Sequence, residues 1–191
     1  MSGRPSGRVR IVAGARRNRR LKVPPRGGVR PTSEMVREAI FSALGPVTGL
    51  VALDLFAGTG ALGLEALSRG AARCTFVDDD PAVTTVLREN VAALDYEPVS
   101  TVTLADYRTA LERLVQTGQG FDLLFVDPPY RMLSEVEVTL MPLLPSLLRA
   151  EGVVVIEGDR SSQVSLGRSP VFDRVYGETK VTMVSMRKDI P

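Results

Sequence analysis

The chain has 191 residues, enough to bury the core of one domain and to carry a small appendage. It holds one cysteine and no histidine, which excludes an internal disulfide, a histidine-ligated zinc site and a histidine general base within this chain. The net charge of +2 is unevenly distributed. Residues 1–30 hold ten Arg or Lys and no acid, whereas the remainder holds 14 basic and 22 acidic side chains, a net −8.

No apolar run approaches the roughly 20 residues that span a bilayer, and no apolar segment follows the basic N-terminus as it would in a secretory signal. We therefore expect a cytoplasmic protein without a membrane partner, and we expect a monomer. Cys74 begins an apolar, strand-like run, where a small buried side chain is the simplest interpretation.

The first 30 residues form a basic arm in which two short apolar runs, 9–12 and 21–23, predict a β-hairpin. A two-stranded ribbon is marginally stable alone, so we expect it to be mobile unless it packs on the body or on RNA. Ten cations favour a polyanionic partner, because each cation placed on a phosphate releases counterions. A disordered solubilising tail is the alternative. The candidate RNA-binding residues are Arg10, Arg16, Arg17, Arg19, Arg20, Lys22 and Arg30.

Residues 31–45 predict a helix that leads into the main domain. Thr32 or Ser33 supplies its N-cap, and Gly45 followed by a proline ends it. Such a helix could close over a bound cofactor from the N-terminal side, which makes Thr32 and Arg37 candidate cofactor-binding residues. An ordinary surface charge is the alternative for Arg37.

Beyond residue 50, strand-like and helical runs alternate. Strands are predicted at about 50–54, 74–77, 99–104, 121–126 and 152–156, and helices at about 61–69, 81–94, 107–116 and 134–148. Alternation of this kind predicts βαβ units and a parallel sheet. Two runs at 171–176 and 180–187 predict a hairpin that finishes the sheet antiparallel. The expected fold class is α/β, with one domain over 31–191.

The stretch 51–63 joins a strand to a helix through a glycine turn. Gly58, Gly60 and Gly63 match the G-x-G-x-x-G spacing of dinucleotide sites. Asp54 argues against NAD, since a carboxylate facing the pyrophosphate at about 4 Å costs roughly 1–4 kcal/mol. The same carboxylate would attract S-adenosylmethionine, which carries a sulfonium and an ammonium and no phosphate. Capping of the following turn or helix is the alternative role for Asp54.

Acids follow four predicted strands, at Asp54, Asp78, Asp106 and Asp127. Ligands of open α/β sheets bind outside the carboxyl ends of the strands, so these acids favour a cationic, hydroxyl-bearing ligand. Asp78 lies where an acid can bind ribose hydroxyls, although Asp79 or Asp80 remains open for that role, and Asp106 could accept from an adenine amino group. The candidate cofactor residues are Asp54, Phe56, Ala57, Gly58, Thr59, Gly60, Asp78, Asp79 and Asp106, besides Thr32 and Arg37.

The tetrad Asp127-Pro128-Pro129-Tyr130 follows the fourth strand and supplies the candidate catalytic residues. The prolines stiffen the backbone and leave carbonyl acceptors, Asp127 adds a carboxylate, and Tyr130 offers a face for base stacking. Such a set can hold the exocyclic amine of a nucleobase and turn its lone pair toward a methyl group. A rigid turn with a core tyrosine is the alternative.

The ordered set DLFAGTG, FVDDD, AD at 105–106 and DPPY resembles class I S-adenosylmethionine-dependent methyltransferases acting on exocyclic amines. With VRIVAG, RPTSEMVREAIF and GALGLEALSRGA, nearly the whole chain resembles the RsmD family, the 16S ribosomal RNA guanine-N2 methyltransferases of bacteria. The DPPY tetrad alone also fits adenine-N6 and cytosine-N4 enzymes.

The resemblance implies a seven-stranded Rossmann-like fold with a basic N-terminal extension, and S-adenosylmethionine as cofactor. It implies methyl transfer to a guanine N2 of 16S ribosomal RNA in the assembling small subunit. It also implies cofactor contacts at Asp54, Gly58, Gly60, Asp78 and Asp106, and catalytic-face roles for Asp127, Pro128 and Tyr130. The rivals are an amine methyltransferase for another RNA or DNA, an NAD-dependent oxidoreductase and a non-catalytic RNA-binding module.

Overall fold

A computed structural model describes residues 9–24 and 33–187. Arg30 and Thr32, two of the candidate site residues, lie outside the described residues, as does most of the segment between the arm and the first helix. Within the described ranges, no helix is long and apolar enough to cross a membrane.

Six helices and seven strands alternate along the described chain. The helices are α1 (Glu34–Leu44), α2 (Ala61–Ser68), α3 (Pro81–Ala93), α4 (Tyr107–Thr117), α5 (Leu133–Leu140) and α6 (Leu144–Leu147), with single 3₁₀ turns at Glu97–Val99 and Tyr130–Met132. The strands are β1 (Val51–Leu55), β2 (Arg73–Asp78), β3 (Ser100–Leu104), β4 (Phe121–Val126), β5 (Leu148–Asp159), β6 (Phe172–Tyr176) and β7 (Thr179–Ser185).

The strands form one sheet in the order β3-β2-β1-β4-β5-β7-β6. Strands β1 to β5 pair in parallel, and β7 pairs antiparallel with both β5 and β6. The chain winds from β1 to one edge and returns to the centre through β4, so the strand order reverses between β1 and β4. In a sheet of this kind the crevice for ligands opens at that reversal. The expected seven-stranded, mostly parallel α/β fold is confirmed.

Two boundaries differ from the sequence prediction. The single helix expected over 134–148 is divided into α5 and α6, because Pro142 lacks the N–H that a continuous helix needs. The C-terminal hairpin forms, but its second strand inserts beside β5 and leaves β6 at the edge. Alternating apolar residues predict a hairpin but cannot say which of its strands meets the rest of the sheet.

Helices cover both faces of the sheet. Successive side chains of β1 point to opposite faces and therefore pack in two different cores. Ala52 packs in the cluster that includes Leu64 of α2 and Leu87 of α3. Leu53 packs in the opposite cluster, with Leu111 of α4. Asp54 is buried on the same side as Ala52, since side chains two apart on a strand share a face.

The arm packs on this domain over its described residues, 9–24. The predicted two-stranded ribbon is reduced to a single antiparallel bridge between Arg10 and Arg20. Val9, Ile11 and Leu21 are buried in the same cluster as α1 and α2. The interpretation of a disordered tail is therefore wrong for these residues, because they contribute to the core.

A buried glutamate in α2 holds the arm in place. The Glu65 carboxylate accepts the Val12 N–H at 2.7 Å and the Ala13 N–H at 2.9 Å, and it accepts from Arg69 Nε at 2.8 Å. Ser68, near the end of the same helix, accepts the Arg16 N–H at 3.0 Å. These groups satisfy arm N–H groups that have no partner in a sheet.

We predict that Glu65→Gln lowers the free energy of unfolding by about 1–3 kcal/mol, since it removes a buried charge that three donors share. The side-chain amide that replaces the carboxylate also places its own N–H donors opposite the backbone N–H donors of the arm. Urea denaturation at neutral pH measures the change. Glu112→Gln, the same substitution at an exposed position of α4, serves as the control and leaves stability unchanged. Equal stabilities of the two variants would contradict the anchoring role.

Candidate functional site

A cavity of about 520 Å³ opens at the carboxyl edge of the sheet. It is lined by the turns after β1, β2 and β4, the end of β5, the start of α1 and the turn between β6 and β7. Its volume lies in the range of about 300–1,000 Å³ that small-molecule sites occupy. The cavity is thus at the crevice that the strand order predicts.

Acidic side chains dominate the wall of the cavity. The seven carboxylates that line it belong to Asp54, Asp78, Asp79, Asp80, Asp127, Glu157 and Glu178. Among the described residues that line it, none is Lys or Arg. Such a wall repels a phosphate-bearing ligand and attracts a cation or a ligand rich in hydroxyl and amino donors.

Asp54 combines both roles that its position suggests. Its carboxylate lies on the cavity wall and accepts the Gly63 N–H in the first turn of α2 at 2.9 Å. Burial raises the pKa of Asp54 well above its usual value, the Gly63 N–H opposes this, and the charges of Asp127 and Asp78 raise it further. A buried carboxylate in this state gains most from a cation placed beside it.

An acid on the neighbouring strand binds the backbone of the glycine turn. Asp78 accepts the Gly58 N–H at 2.8 Å and the Asp80 N–H at 3.1 Å. Phe56 has a φ of 67°, which is unusual for a residue with a side chain and is typical of turns that approach a ligand. Phe56, Ala57, Gly58 and Thr59 line the cavity.

The sequence predicts that Gly60 contacts the cofactor, whereas the structure shows it in the turn that starts α2. It is not among the described residues that line the cavity, and it starts α2 with a φ of 80°. A Cβ at this position would lie 2.4 Å from Leu87 Cδ1. Gly60 therefore allows the turn and the close packing of α3.

The three acids at the end of β2, Asp78, Asp79 and Asp80, make different contacts. Asp80 caps α3, since its Oδ1 accepts the Ala82 N–H at 2.7 Å. Asp78 lies at the strand end, and burial raises its pKa while the N–H groups of Asp80 and Gly58 lower it. Asp79 lines the cavity beside them. All three acids line the cavity, and both carboxylate oxygens of Asp78 accept backbone N–H groups.

The Asp127-Pro128-Pro129-Tyr130 turn forms the opposite wall, and all four residues line the cavity. Tyr130 is 37% exposed, and its hydroxyl lies 3.5 Å from Oγ1 of Thr179, the first residue of β7. The alternative of a core tyrosine is wrong, because the ring is available at the cavity mouth.

Two predicted cofactor residues, Asp106 and Arg37, are not among the described residues that line the cavity. Asp106 caps α4 by accepting the Arg108 N–H at 2.9 Å, and it is not among the described residues that line the cavity. The same is true of Arg37, which is neither a surface charge nor a wall residue: it is 1% exposed, and its Nη2 donates to the Arg10 carbonyl at 2.6 Å. A strand-end acid can thus serve the next helix, which spacing alone does not reveal.

Four of the candidate RNA-binding residues contact the domain instead of projecting freely. Arg10 pairs with Glu34 at 2.9 Å, Arg16 with Asp95 at 3.2 Å, Lys22 with Glu89 at 2.7 Å, and Arg19 Nη2 donates to the Ala93 carbonyl at 2.7 Å. Arg17 and Arg20 are exposed on the described part of the arm. The positive arm is therefore partly neutralised by the acidic domain on which it packs.

The sequence prediction missed several wall residues, of which Glu157 is the most buried acid. It is 3% exposed and lies near the end of β5, beside the tetrad on β4. The rule that selected the other acids applies to it, since it directly follows the strand predicted at 152–156. Ser33, Tyr176 and Thr179 also line the cavity, and only the fold brings them there.

Comparison with known proteins assigns a family. A family model described as Conserved hypothetical protein 95 matches residues 9–185. Over 127 residues the chain is 45% identical to Ribosomal RNA small subunit methyltransferase D of Escherichia coli strain K12. The matched region covers 66% of this chain and 62% of that protein. The match thus spans less than two thirds of the length of that relative.

Solved structures share the fold. A hypothetical protein from Thermus thermophilus has a TM-score of 0.81 at 34% identity, covering 92% of this chain and 98% of that one. An RNA methyltransferase from Salinibacter ruber in complex with S-adenosyl-L-homocysteine has a TM-score of 0.65 at 20% identity, covering 84% and 96%, and shows the likeness of fold alone. Because the family model matches nearly the whole described chain, this protein belongs to that family, the RsmD family that its motifs resemble.

Proposed function

We propose that this protein transfers a methyl group from S-adenosylmethionine to the exocyclic N2 amine of a guanine in 16S ribosomal RNA, within an assembling small subunit. The observation that carries the proposal is one cavity with seven carboxylates, no basic residue among its described wall residues, and the Asp127–Tyr130 turn on one side. The relative from E. coli is named as a ribosomal RNA small subunit methyltransferase, which supports the substrate class.

The wall residues fit this cofactor and disfavour NAD. S-adenosylmethionine supplies an activated methyl group on a sulfonium and brings an ammonium, ribose hydroxyls and an adenine, but no phosphate. Asp54 and the turn 56–60 would hold the methionine end, and Asp78 or Asp79 the ribose. A pyrophosphate among these carboxylates would be repelled at every side of the cavity.

The Asp127–Tyr130 turn would hold the target base. Asp127 and the Pro128 carbonyl accept from the two N2 protons, which places electron density on nitrogen and aims its lone pair, while Tyr130 stacks on the ring. The nitrogen–carbon bond forms as the carbon–sulfur bond breaks, and the extra proton leaves to Asp127 or water. Positioning of this kind can supply roughly 7–11 kcal/mol, against a few kcal/mol to unstack the base.

We predict that Asp127→Ala lowers methyl transfer at least about 100-fold, because the loss of an acceptor that acts on the reacting amine raises the barrier by several kcal/mol. Labelled S-adenosylmethionine and small-subunit particles from cells that lack the enzyme measure the transfer. Affinity for the cofactor, measured by calorimetry, stays within a few-fold and reports that the fold is intact. Absence of transfer by the wild-type protein would refute the enzymatic function, and a large loss of cofactor affinity in the variant would refute our division of the site.

We predict that affinity for S-adenosylmethionine falls as the pH is lowered from 8 to 5. Burial raises the pKa of Asp54, so lowering the pH protonates this carboxyl in the free protein and removes the charge that a cationic ligand favours. The ligand lowers that pKa in the complex, so binding takes a proton off and improves as the pH rises. Calorimetry should show a flatter pH dependence for Asp54→Asn than for the wild type; parallel profiles would exclude Asp54 as the titrating group.

The arm over residues 1–30 is proposed as the RNA-binding element, supported by its charge and by the exposed Arg17 and Arg20. We predict that replacing both with Ala weakens binding to 16S ribosomal RNA and lowers the salt slope of log K by about 1.4–1.8, since each phosphate contact contributes about 0.7–0.9. Filter binding between 50 and 200 mM salt measures the slope. Arg113→Ala with Arg168→Ala, two exposed cations outside the arm, is the control, and equal slopes for both pairs would contradict the assignment.

A further inference from the structure

A second carboxylate lies beside Asp127 on the cavity wall. Strands β4 and β5 pair in parallel with Val126 opposite Ile156, so Asp127 and Glu157 are the next residues on neighbouring strands. Strands in a sheet lie roughly 4.7–4.9 Å apart. Both side chains line the cavity, and Glu157 is 3% exposed. The structure therefore presents two acidic acceptors side by side where the target base would lie.

A buried cation lies close to Glu157. Arg37 is 1% exposed, and burial lowers its pKa while the charges of Glu65, Glu34 and Glu157 raise it. Its Nη2 donates to the Arg10 carbonyl, which fixes the guanidinium between α1 and the arm. The charges of Arg37 and Glu157 attract each other across the described core. An ionised carboxylate only accepts hydrogen bonds, so Glu157 can serve a donor on the ligand and cannot serve an acceptor.

Purine bases differ in what they offer to such a pair. The Watson–Crick edge of guanine carries adjacent donors, N1–H and N2–H₂, whereas the same edge of adenine carries an N1 acceptor beside its N6 amine. Two neighbouring carboxylates can accept from the two donors on the guanine edge. With adenine, one of the carboxylates would instead face the N1 lone pair and repel it.

We propose that Glu157 is the specificity-determining residue for guanine: its carboxylate accepts the N1–H of the base whose N2 amine is held by Asp127. This inference rests on the proposed function and deepens it. Asp127 by itself would accept from any exocyclic amine, and the second acceptor selects the ring to which the amine belongs. A buried acceptor left facing another acceptor is the kind of mismatch that sites of this type reject strongly.

A purely structural role is the competing explanation, in which Glu157 supports Arg37 and the arm. Such a role would alter stability or the overall rate, and it would change the methylation of every base equally. The ratio between two bases that share the reacting amine therefore separates the explanations.

The base 2,6-diaminopurine provides that comparison, because it keeps the N2 amine and has an N1 acceptor in place of N1–H, with an amine in place of O6. Small-subunit particles are reconstituted with 16S ribosomal RNA that carries either guanine or 2,6-diaminopurine at the mapped target nucleotide. Single-turnover transfer from labelled S-adenosylmethionine is measured for the wild type, Glu157→Gln and Glu178→Gln. Glu178 is the matched control, since it removes an exposed carboxylate from the rim of the same cavity.

The wild type should favour guanine by at least about 100-fold, because diaminopurine turns the lone pair of N1 toward the Glu157 carboxylate. In Glu157→Gln the ratio should fall at least tenfold, since the amide can donate to the N1 of diaminopurine, whereas Glu178→Gln should keep the wild-type ratio. Transfer to guanine with an unchanged ratio in Glu157→Gln would overturn the inference and leave the proposed function standing. No transfer by the wild type to the guanine particle would overturn both.

Discussion

Negative charge concentrated at the carboxyl edge of a parallel sheet is the constraint on which the rest of this structure depends. The strand order places Asp54, Asp78 and Asp127 around one crevice, and burial raises the pKa of Asp54 and of Asp78. The backbone N–H groups of Gly63 in α2, of Gly58 in the glycine turn and of Asp80 before α3 offset part of that cost. The negative charge that these hydrogen bonds do not offset is what attracts a cation to the cavity.

The helices that shape the cavity also hold the arm. Helix α2 binds Asp54 at its first turn and presents Glu65 to the arm from its second turn. In α3, Asn90 Nδ2 donates to the Lys22 carbonyl and to the Thr59 carbonyl, both at 3.0 Å. One side chain thus joins the arm to the turn that lines the cavity, so the position of the arm and the shape of that turn are physically linked.

The two walls divide the work in the proposed reaction. The β1–β2 side offers buried carboxylates and a tight turn, which suit a small charged cofactor. The β4–β5 side offers Asp127, Glu157 and the exposed ring of Tyr130, which suit a flat base with amine donors. Thr179 at the start of β7 lies beside Tyr130 of this second wall, so the C-terminal hairpin belongs to the site as well as to the sheet.

The sequence by itself determined the α/β class, the glycine turn, the acids at three strand ends and the Asp127–Tyr130 tetrad, because these depend on local periodicity and on turns made by adjacent residues. Only the tertiary structure decided that Arg37 is buried under the arm and that Glu157 stands beside Asp127. Those outcomes depend on strand register and on contacts between residues far apart in the chain, such as Arg10 and Arg37, which are 27 positions apart. Local spacing carries no record of which distant segments pack together, and burial then decides whether a charge faces a ligand, a helix end or another charge.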